Sequence, residues 1–78
     1  MKSRGQTKIQ GSFGTAVRRR RHELGWSQEA FAEKADIHRT YVSSIELGKV
    51  DMGLNVAKNI ANALKISLSK LIKEAEES

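Results

Sequence analysis

The feature that most constrains the fold is a pair of short apolar patterns at helical spacing within residues 28–47. Apolar or small side chains recur every three or four residues, first over 28–35 and again over 38–47, which predicts two short helices. A short connection separates them, so the helices must meet at an angle around a tight turn. The inward side chains of the two patterns and the turn are Phe31, Ala32, Ala35, Ile37, Val42 and Ile45.

The second of these helices has an outer side suited to reading base pairs. A step of about 100° per residue places Val42 and Ile45 on its inner side. Arginine can donate two hydrogen bonds to guanine, and the threonine methyl can contact thymine in the major groove. A solvated face on a small helical domain is the simpler alternative, but the spacing of the two helices favours a helix-turn-helix that binds double-stranded DNA. The predicted base-reading residues are Arg39, Thr40, Ser43 and Ser44.

The composition narrows the class of protein. A chain of 78 residues makes one small domain, and its formal net charge of +5 suits a polyanionic partner. No apolar run approaches the roughly 20 residues that span a bilayer, so we expect no membrane contact and a cytoplasmic protein. Cysteine is absent, and no carboxylate pair, glycine-rich phosphate loop or metal-ligand cluster is evident. We therefore expect no enzyme activity, catalytic residue, metal, cofactor or small-molecule ligand.

Residues 1–11 are predicted to form a flexible basic tail. They combine Lys and Arg with Ser, Gly, Thr and Gln and show no apolar period. The tail is either an idle terminus or an arm that contacts DNA, and the sequence leaves both open. Ser12 can cap a first helix that runs from about Phe13 to Leu24. The folded domain is therefore predicted to span residues 12–78.

The C-terminal part of the chain predicts two more helices. Residues 54–64 repeat apolar side chains at three and four residues, which indicates a helix that closes the core. Ser67 can cap a last helix that extends to about Glu76. The expected fold is an all-α, compact five-helix bundle. The last helix has an apolar side wider than packing within one domain requires, which predicts a dimer interface there. The predicted interface residues are Leu68, Leu71 and Ile72.

The sequence resembles the phage-repressor-like, XRE-type helix-turn-helix family in three linked blocks, which are residues 24–32 (LGWSQEAFA), 38–49 (HRTYVSSIELGK) and 60–68 (IANALKISL). The likeness extends over residues 13–72 and implies a lambda-repressor-like DNA-binding domain. It also implies an internal ion pair between Arg21 and Glu46. Family members commonly have glycine where Asp36 stands, which implies a positive φ at this residue.

Within that family, residues 39–43 (RTYVS) look most like the controller proteins of restriction-modification systems. Residues 49–53 depart from the basic, Asn-containing turn that this narrower likeness implies. The likeness therefore rests on few residues, and control of restriction-modification genes is one expectation that it carries.

A second set of residues is expected to hold the DNA backbone. The start of the second helix presents free N–H groups and the positive end of the helix dipole, which favour a phosphate. Basic or hydroxyl side chains on the neighbouring elements can contact phosphates without regard to sequence. The predicted backbone-binding residues are Gln28, Arg18, Tyr41 and Lys49.

These features predict a sequence-specific transcription regulator that acts as a homodimer on a palindromic operator. One small domain offers one reading helix, so useful specificity requires a second half-site about one helical turn away. The alternative is the antitoxin of a toxin-antitoxin pair, which would bind both DNA and a protein. A nonspecific RNA-binding protein would need exposed aromatic side chains, and only four aromatic residues are present.

Overall fold

Five α-helices, joined by short turns and one longer loop, make up the structure. The computed structural model describes the backbone of residues 3–77 and the side chains of residues 9–77. The helices are α1 (Ser3–Glu23), α2 (Gln28–Ala35), α3 (Arg39–Glu46), α4 (Leu54–Ala63) and α5 (Leu68–Glu77). No strand occurs between residues 3 and 77, and the predicted all-α, five-helix fold is confirmed.

The C-terminal ends of α1, α2, α3 and α4 share one backbone geometry. In each, a residue just beyond the helix is left-handed, and its N–H donates to the carbonyl three residues back. The next N–H donates to the carbonyl five residues back, which completes a Schellman motif. The motif satisfies carbonyls that a helix end leaves free, and it turns the chain sharply toward the next element. The left-handed residues are Gly25, Asp36, Gly48 and Lys65.

Two of the helices begin after a serine cap, and the cap at Ser67 is one that the sequence predicts. The Ser27 hydroxyl accepts a hydrogen bond from the Ala30 N–H at 3.0 Å, and the Ser67 hydroxyl accepts one from the Lys70 N–H at 3.1 Å. His38 occupies the corresponding position before α3 but makes no side-chain hydrogen bond to the helix. The positive φ expected at Asp36, in the turn between α2 and α3, is 59°.

The start of α1 differs from the sequence-based expectation. The helix begins at Ser3, so the predicted start near Phe13 is wrong, and helix replaces the predicted tail over residues 3–11. Ser12 lies inside the helix and not at its cap. Glycine and polar residues give this segment little helical preference of its own. At its end, Ile9 and Gln10 lie beside Ile72 of α5, so packing against another helix supports the helix there. Residues 1 and 2 lie outside the described part, and a DNA-contacting role for the N-terminus stays a prediction.

The hydrophobic core lies where all five helices meet. α1 packs along α5 and across α3, while α2 contacts both α3 and α4. This arrangement holds α3 between α1 and α2, with one side inward and one side in solvent. The largest fully buried side chains are Val17, Phe31, Val42, Ile45, Ile60, Leu64 and Leu71.

Two kinds of feature are absent from residues 3–77. No helix in that range is both long enough and apolar enough to cross a bilayer. Within the same range, no group of three or more His, Asp or Glu side chains is placed to hold a metal ion.

Candidate nucleic-acid interface

The residues predicted to read bases lie on the solvent side of α3, and we call this surface the reading face. Val42 and Ile45 are buried in the core, so the helix can turn only its other side outward. Arg39 and Thr40, in the first turn, are exposed, whereas the serines one turn later are half-buried. Because the N-terminal residues of a reading helix reach base edges first, the two longer exposed side chains stand at the most favourable position. The reading face consists of Arg39, Thr40, Ser43 and Ser44.

A polar cleft adjoins the reading face where α1, α2 and α3 meet. It is lined by side chains that the sequence assigns to two different tasks. Arg18 and Gln28 are predicted to bind the DNA backbone, and Ser43 is predicted to face the bases. The fold brings these three side chains to one cleft, at the N-terminus of α2. The polar cleft is formed by Arg18, Arg21, Gln28, Ser43, Glu46 and Leu47.

An ion pair between Arg21 and Glu46 forms the base of the polar cleft. The Arg21 Nε lies 2.7 Å from Glu46 Oε2, and its Nη2 lies 3.0 Å from Oε1. The two side chains are 8% and 4% exposed. The third guanidinium nitrogen donates to the Trp26 carbonyl at 2.8 Å, and the Gln28 amide donates to Glu46 Oε1 at 3.1 Å. Buried charge is tolerated when it is paired and hydrogen-bonded in this way, so the network ties α1, the start of α2 and the end of α3 together.

The other predicted backbone-binding residues lie at the ends of the same surface. Lys49 is exposed and follows α3 directly. Tyr41 is half-buried and packs against the core. Contact of either residue with DNA stays a prediction.

Comparison with known proteins agrees with this architecture. A helix-turn-helix family model matches residues 17–71. The chain belongs to the XRE-type helix-turn-helix family. It is similar to the control protein C.MunI from a Mycoplasma species, with 39% identity over 66 residues that cover 83% of this chain and 89% of that protein.

Solved structures of helix-turn-helix controller proteins match it as well. The restriction-modification controller protein C.AhdI from Aeromonas hydrophila is 33% identical, with a TM-score of 0.76 over 78% of this chain and 92% of that chain. The controller protein C.Esp1396I, as a tetramer in complex with its 35 base-pair operator, is 28% identical, with a TM-score of 0.76 over 87% of this chain and 95% of that chain.

The helix-turn-helix domain also exposes apolar side chains, on the side of α1, α4 and α5. An apolar groove there includes Ile9 and Phe13 of α1, Leu54 at the start of α4, and Ile72 of α5. Ile9 is 41% exposed and Leu54 is 76% exposed. We call this surface the apolar groove.

The three residues predicted for the dimer interface lie in different surroundings. Leu71 is fully buried in the domain's own core, so it cannot offer surface to a second copy, and its assignment to the interface is wrong. Leu68 is half-buried against the core and does not line the groove. Ile72 lines the groove and is half-buried. Of the three predicted residues, Ile72 alone lies on this surface.

Several residues of the helix-turn-helix domain were not singled out by the sequence. Leu47 lines the polar cleft and is 63% exposed, one turn beyond Ser43. Leu54 was expected to face the core, because it fits the apolar repeat of α4. Arg20 donates a hydrogen bond from its Nε to the Leu64 carbonyl at the end of α4, at 3.3 Å. The apolar repeat of α4 identifies apolar positions, yet it does not tell which of them the fold leaves exposed.

Proposed function

We propose that this chain is a sequence-specific regulator of transcription that binds duplex DNA through α3. The observation that carries the proposal is the reading face beside the polar cleft. Arg39 and Thr40 offer an arginine fork for guanine and a methyl group for thymine, at the end of the helix that enters the groove. The net charge of +5 favours association with DNA. The named relatives support a regulator of this kind and give no support to the antitoxin alternative.

The polar cleft is proposed to hold one phosphate of the DNA backbone. Arg18 is exposed at its edge and supplies a positive charge. The Gln28 amide is held at the cleft by its hydrogen bond to Glu46, and Gln28 is the first residue of α2, so the free N–H groups of that helix end lie beside the cleft. Lys49, beyond α3, extends the contact along the backbone. Phosphate contacts of this sort fix the register of α3 and leave sequence recognition to the reading face.

The protein is proposed to act as a homodimer whose copies join through the apolar groove. Ile9, Leu54 and Ile72 leave apolar surface in water that a second copy of the same groove can cover, as in a two-fold symmetric interface. Two copies place two reading helices on one side of the duplex. The matching DNA is a palindrome with half-sites about one helical turn apart, roughly 34–36 Å.

The regulated genes are proposed to be those of a restriction-modification system. The relatives named as control or controller proteins support this assignment. The function is binding and not catalysis, and it is exercised on DNA in the cytoplasm.

Selection of bound duplexes from a random pool tests the proposal. The wild-type protein is expected to enrich a palindromic motif, and sedimentation of the complex is expected to give two chains per motif. A guanine-containing half-site is expected, because Arg39 is the exposed arginine of the reading face. A pool that yields no common motif after repeated selection would contradict sequence-specific recognition.

A further inference from the structure

Gly14 lies where α1 crosses the last turn of α3, and the two helices are in backbone contact there. Gly14 is buried. A Cβ atom added to it would collide with the carbonyl oxygen of Ile45 and would lie 2.9 Å from the carbonyl oxygen of Glu46. Both oxygens belong to the backbone of α3 and cannot rotate away. Every residue other than glycine would therefore push α3 outward.

The contact continues one turn earlier on α1. A Cβ on Gly48, which follows α3, would lie 2.9 Å from the Cα of Gly11 and 3.1 Å from its nitrogen. Gly11 lies three residues before Gly14 on α1, and it meets Gly48 through its backbone atoms, while a Cβ added to Gly11 would point into open space. The backbone of α1 is therefore in close contact with the backbone at the end of α3 at both Gly11 and Gly14.

The same side of α1 holds α3 at a second point. Arg21 lies two turns beyond Gly14 and forms the buried ion pair with Glu46. The α1 backbone therefore prevents the end of α3 from coming closer to α1, and the ion pair prevents it from moving away. Arg39 and Thr40 are carried on the same eight-residue helix. A shift at its end moves them too, because a short helix moves as a rigid unit.

We propose that Gly14 is a positioning residue that sets the base preference of the reading face through the backbone of α3. This inference rests on the proposed function, since it concerns how α3 is presented to DNA. Side chains of a binding site must be held to within about 0.5 Å of their productive geometry. A methyl group at position 14 requires a displacement of at least about that size to restore ordinary contact with the Glu46 carbonyl oxygen.

The test compares Gly14→Ala with Gly11→Ala in the full chain. A Cβ at Gly11 meets nothing within 4 Å, so both variants gain the same helical preference and only one acquires a steric conflict. Each variant is titrated against the motif selected by the wild type and against every single-base change in it. Gly14→Ala is expected to lose about tenfold or more in discrimination at the pairs read by Arg39 and Thr40. Gly11→Ala is expected to keep the wild-type ratios.

Ratios of affinities separate positioning from stability. Partial unfolding lowers the active concentration equally for every duplex, so it leaves the ratios unchanged. A second pair covers the case in which Gly14→Ala does not fold. Gly48→Asn adds a Cβ against Gly11, whereas Gly25→Asn adds one in open space, and both positions are left-handed, a conformation that asparagine tolerates. Gly48→Asn is expected to change the base preferences and Gly25→Asn to keep them.

Two outcomes overturn the inference, and they are distinguishable. If folded Gly14→Ala, or folded Gly48→Asn in its place, keeps the wild-type ratio at every base pair, Gly14 does not position the reading face and the proposed function stands. If the wild-type protein selects no motif at all, the proposed function fails and this inference fails with it.

Discussion

The reading face and the apolar groove are two exposed surfaces of one small domain, and they are held in place by different forces. Behind the reading face, a buried ion pair with two further hydrogen bonds fixes the end of α3. Behind the apolar groove, α1, α4 and α5 meet through side chains of the hydrophobic core. Core packing through Val42 and Ile45 also holds α3, so the first surface depends on directional contacts added to packing, whereas the second depends mainly on packing.

This difference matters because the loss of a single partner costs more stability in a buried ion pair than in an apolar contact. Loss of one partner of a buried ion pair leaves a charge without compensation, while loss of one partner of an apolar contact leaves a cavity that neighbours can fill in part. The proposed reading of bases requires α3 to be held in a fixed position, which directional contacts favour. The proposed dimer contact requires only apolar area of suitable shape.

The largest expected effect comes from breaking the ion pair. Arg21→Met and Glu46→Leu are each expected to lower the free energy of unfolding by about 3–5 kcal/mol, because each leaves a buried charge unpaired. The double variant should lose less than the sum. Denaturant unfolding of the four proteins measures the coupling. Arg19→Met, at an exposed neighbouring position, is the control and should change stability by less than about 0.5 kcal/mol. Strictly additive losses would contradict a coupled pair.

Adjacent residues of α5 separate the core from the apolar groove. Leu71→Ala is expected to lower the free energy of unfolding by about 2–5 kcal/mol, because it opens a cavity in the core. Ile72→Glu is expected to keep the helical circular dichroism of the wild type while sedimentation reports a monomer, because it places a charge in the proposed dimer contact. Leu54→Glu should behave like Ile72→Glu. An unchanged mass in both glutamate variants would place the dimer interface elsewhere.

A smaller effect, on DNA binding, should differ between variants of the reading face and variants of the polar cleft. Arg39→Ala is expected to cost about 1–3 kcal/mol of binding per half-site and to relax the preference at one base pair. Gln28→Ala should weaken all duplexes nearly equally, because phosphate contacts carry no sequence information. Affinities for an operator library report both. If Arg39→Ala kept every base preference, α3 would not read through this side chain.

The salt dependence of DNA affinity distinguishes residues that contact phosphates from those that do not. Lys49→Ala is expected to reduce the slope of log affinity against log salt by about 0.9 units, the value for one lost phosphate contact. Lys73→Ala, which removes an exposed lysine from α5, is the matched control and should leave the slope unchanged. Titrations at several salt concentrations provide the slopes. Equal slopes for the wild type and Lys49→Ala would remove this lysine from the DNA contact.

The smallest expected effect is on stability, at the left-handed residues that follow α4 and α2. Lys65 ends α4 with a φ of 62°, and Asp36 ends α2 with a φ of 59°. Lys65→Gly is expected to stabilise the fold by about 0.5–1 kcal/mol, since relief of strain outweighs the entropy that glycine adds to the unfolded chain. Asp36→Gly should stabilise less, because aspartate tolerates this conformation better. Thermal unfolding distinguishes the two, and a larger gain for Asp36→Gly would contradict this ranking.

The sequence predicts the helix-turn-helix well because local signals agree there. Ser27 caps α2, Asp36 takes the expected conformation, and the apolar residues of α2 and α3 are buried. The start of α1 could not be predicted, because residues 3–11 show no apolar period and the position of Ile9 beside α5 is set by the fold.

The predicted dimer residues show a second limit of the sequence. A wide apolar stripe on α5 does not tell which part faces the core. Leu71 and Ala75, one turn apart, are buried together, and this leaves Ile72 at the margin. Ile9 and Leu54 were assigned to a tail and to the core, so the apolar groove was visible only once α1 and α4 were placed beside α5.

Trp26 gives the protein a built-in optical probe. It is the chain's single tryptophan, and its half-buried ring lies 6.4 Å from that of Phe31, with the Lys34 ammonium 4.9 Å from the indole centroid. Its carbonyl accepts a hydrogen bond from Arg21, so the residue is fixed at the junction that aligns α1 with α2. Indole emission responds to nearby charge and to water. The fluorescence of the unlabelled protein therefore reports the assembly of this junction directly.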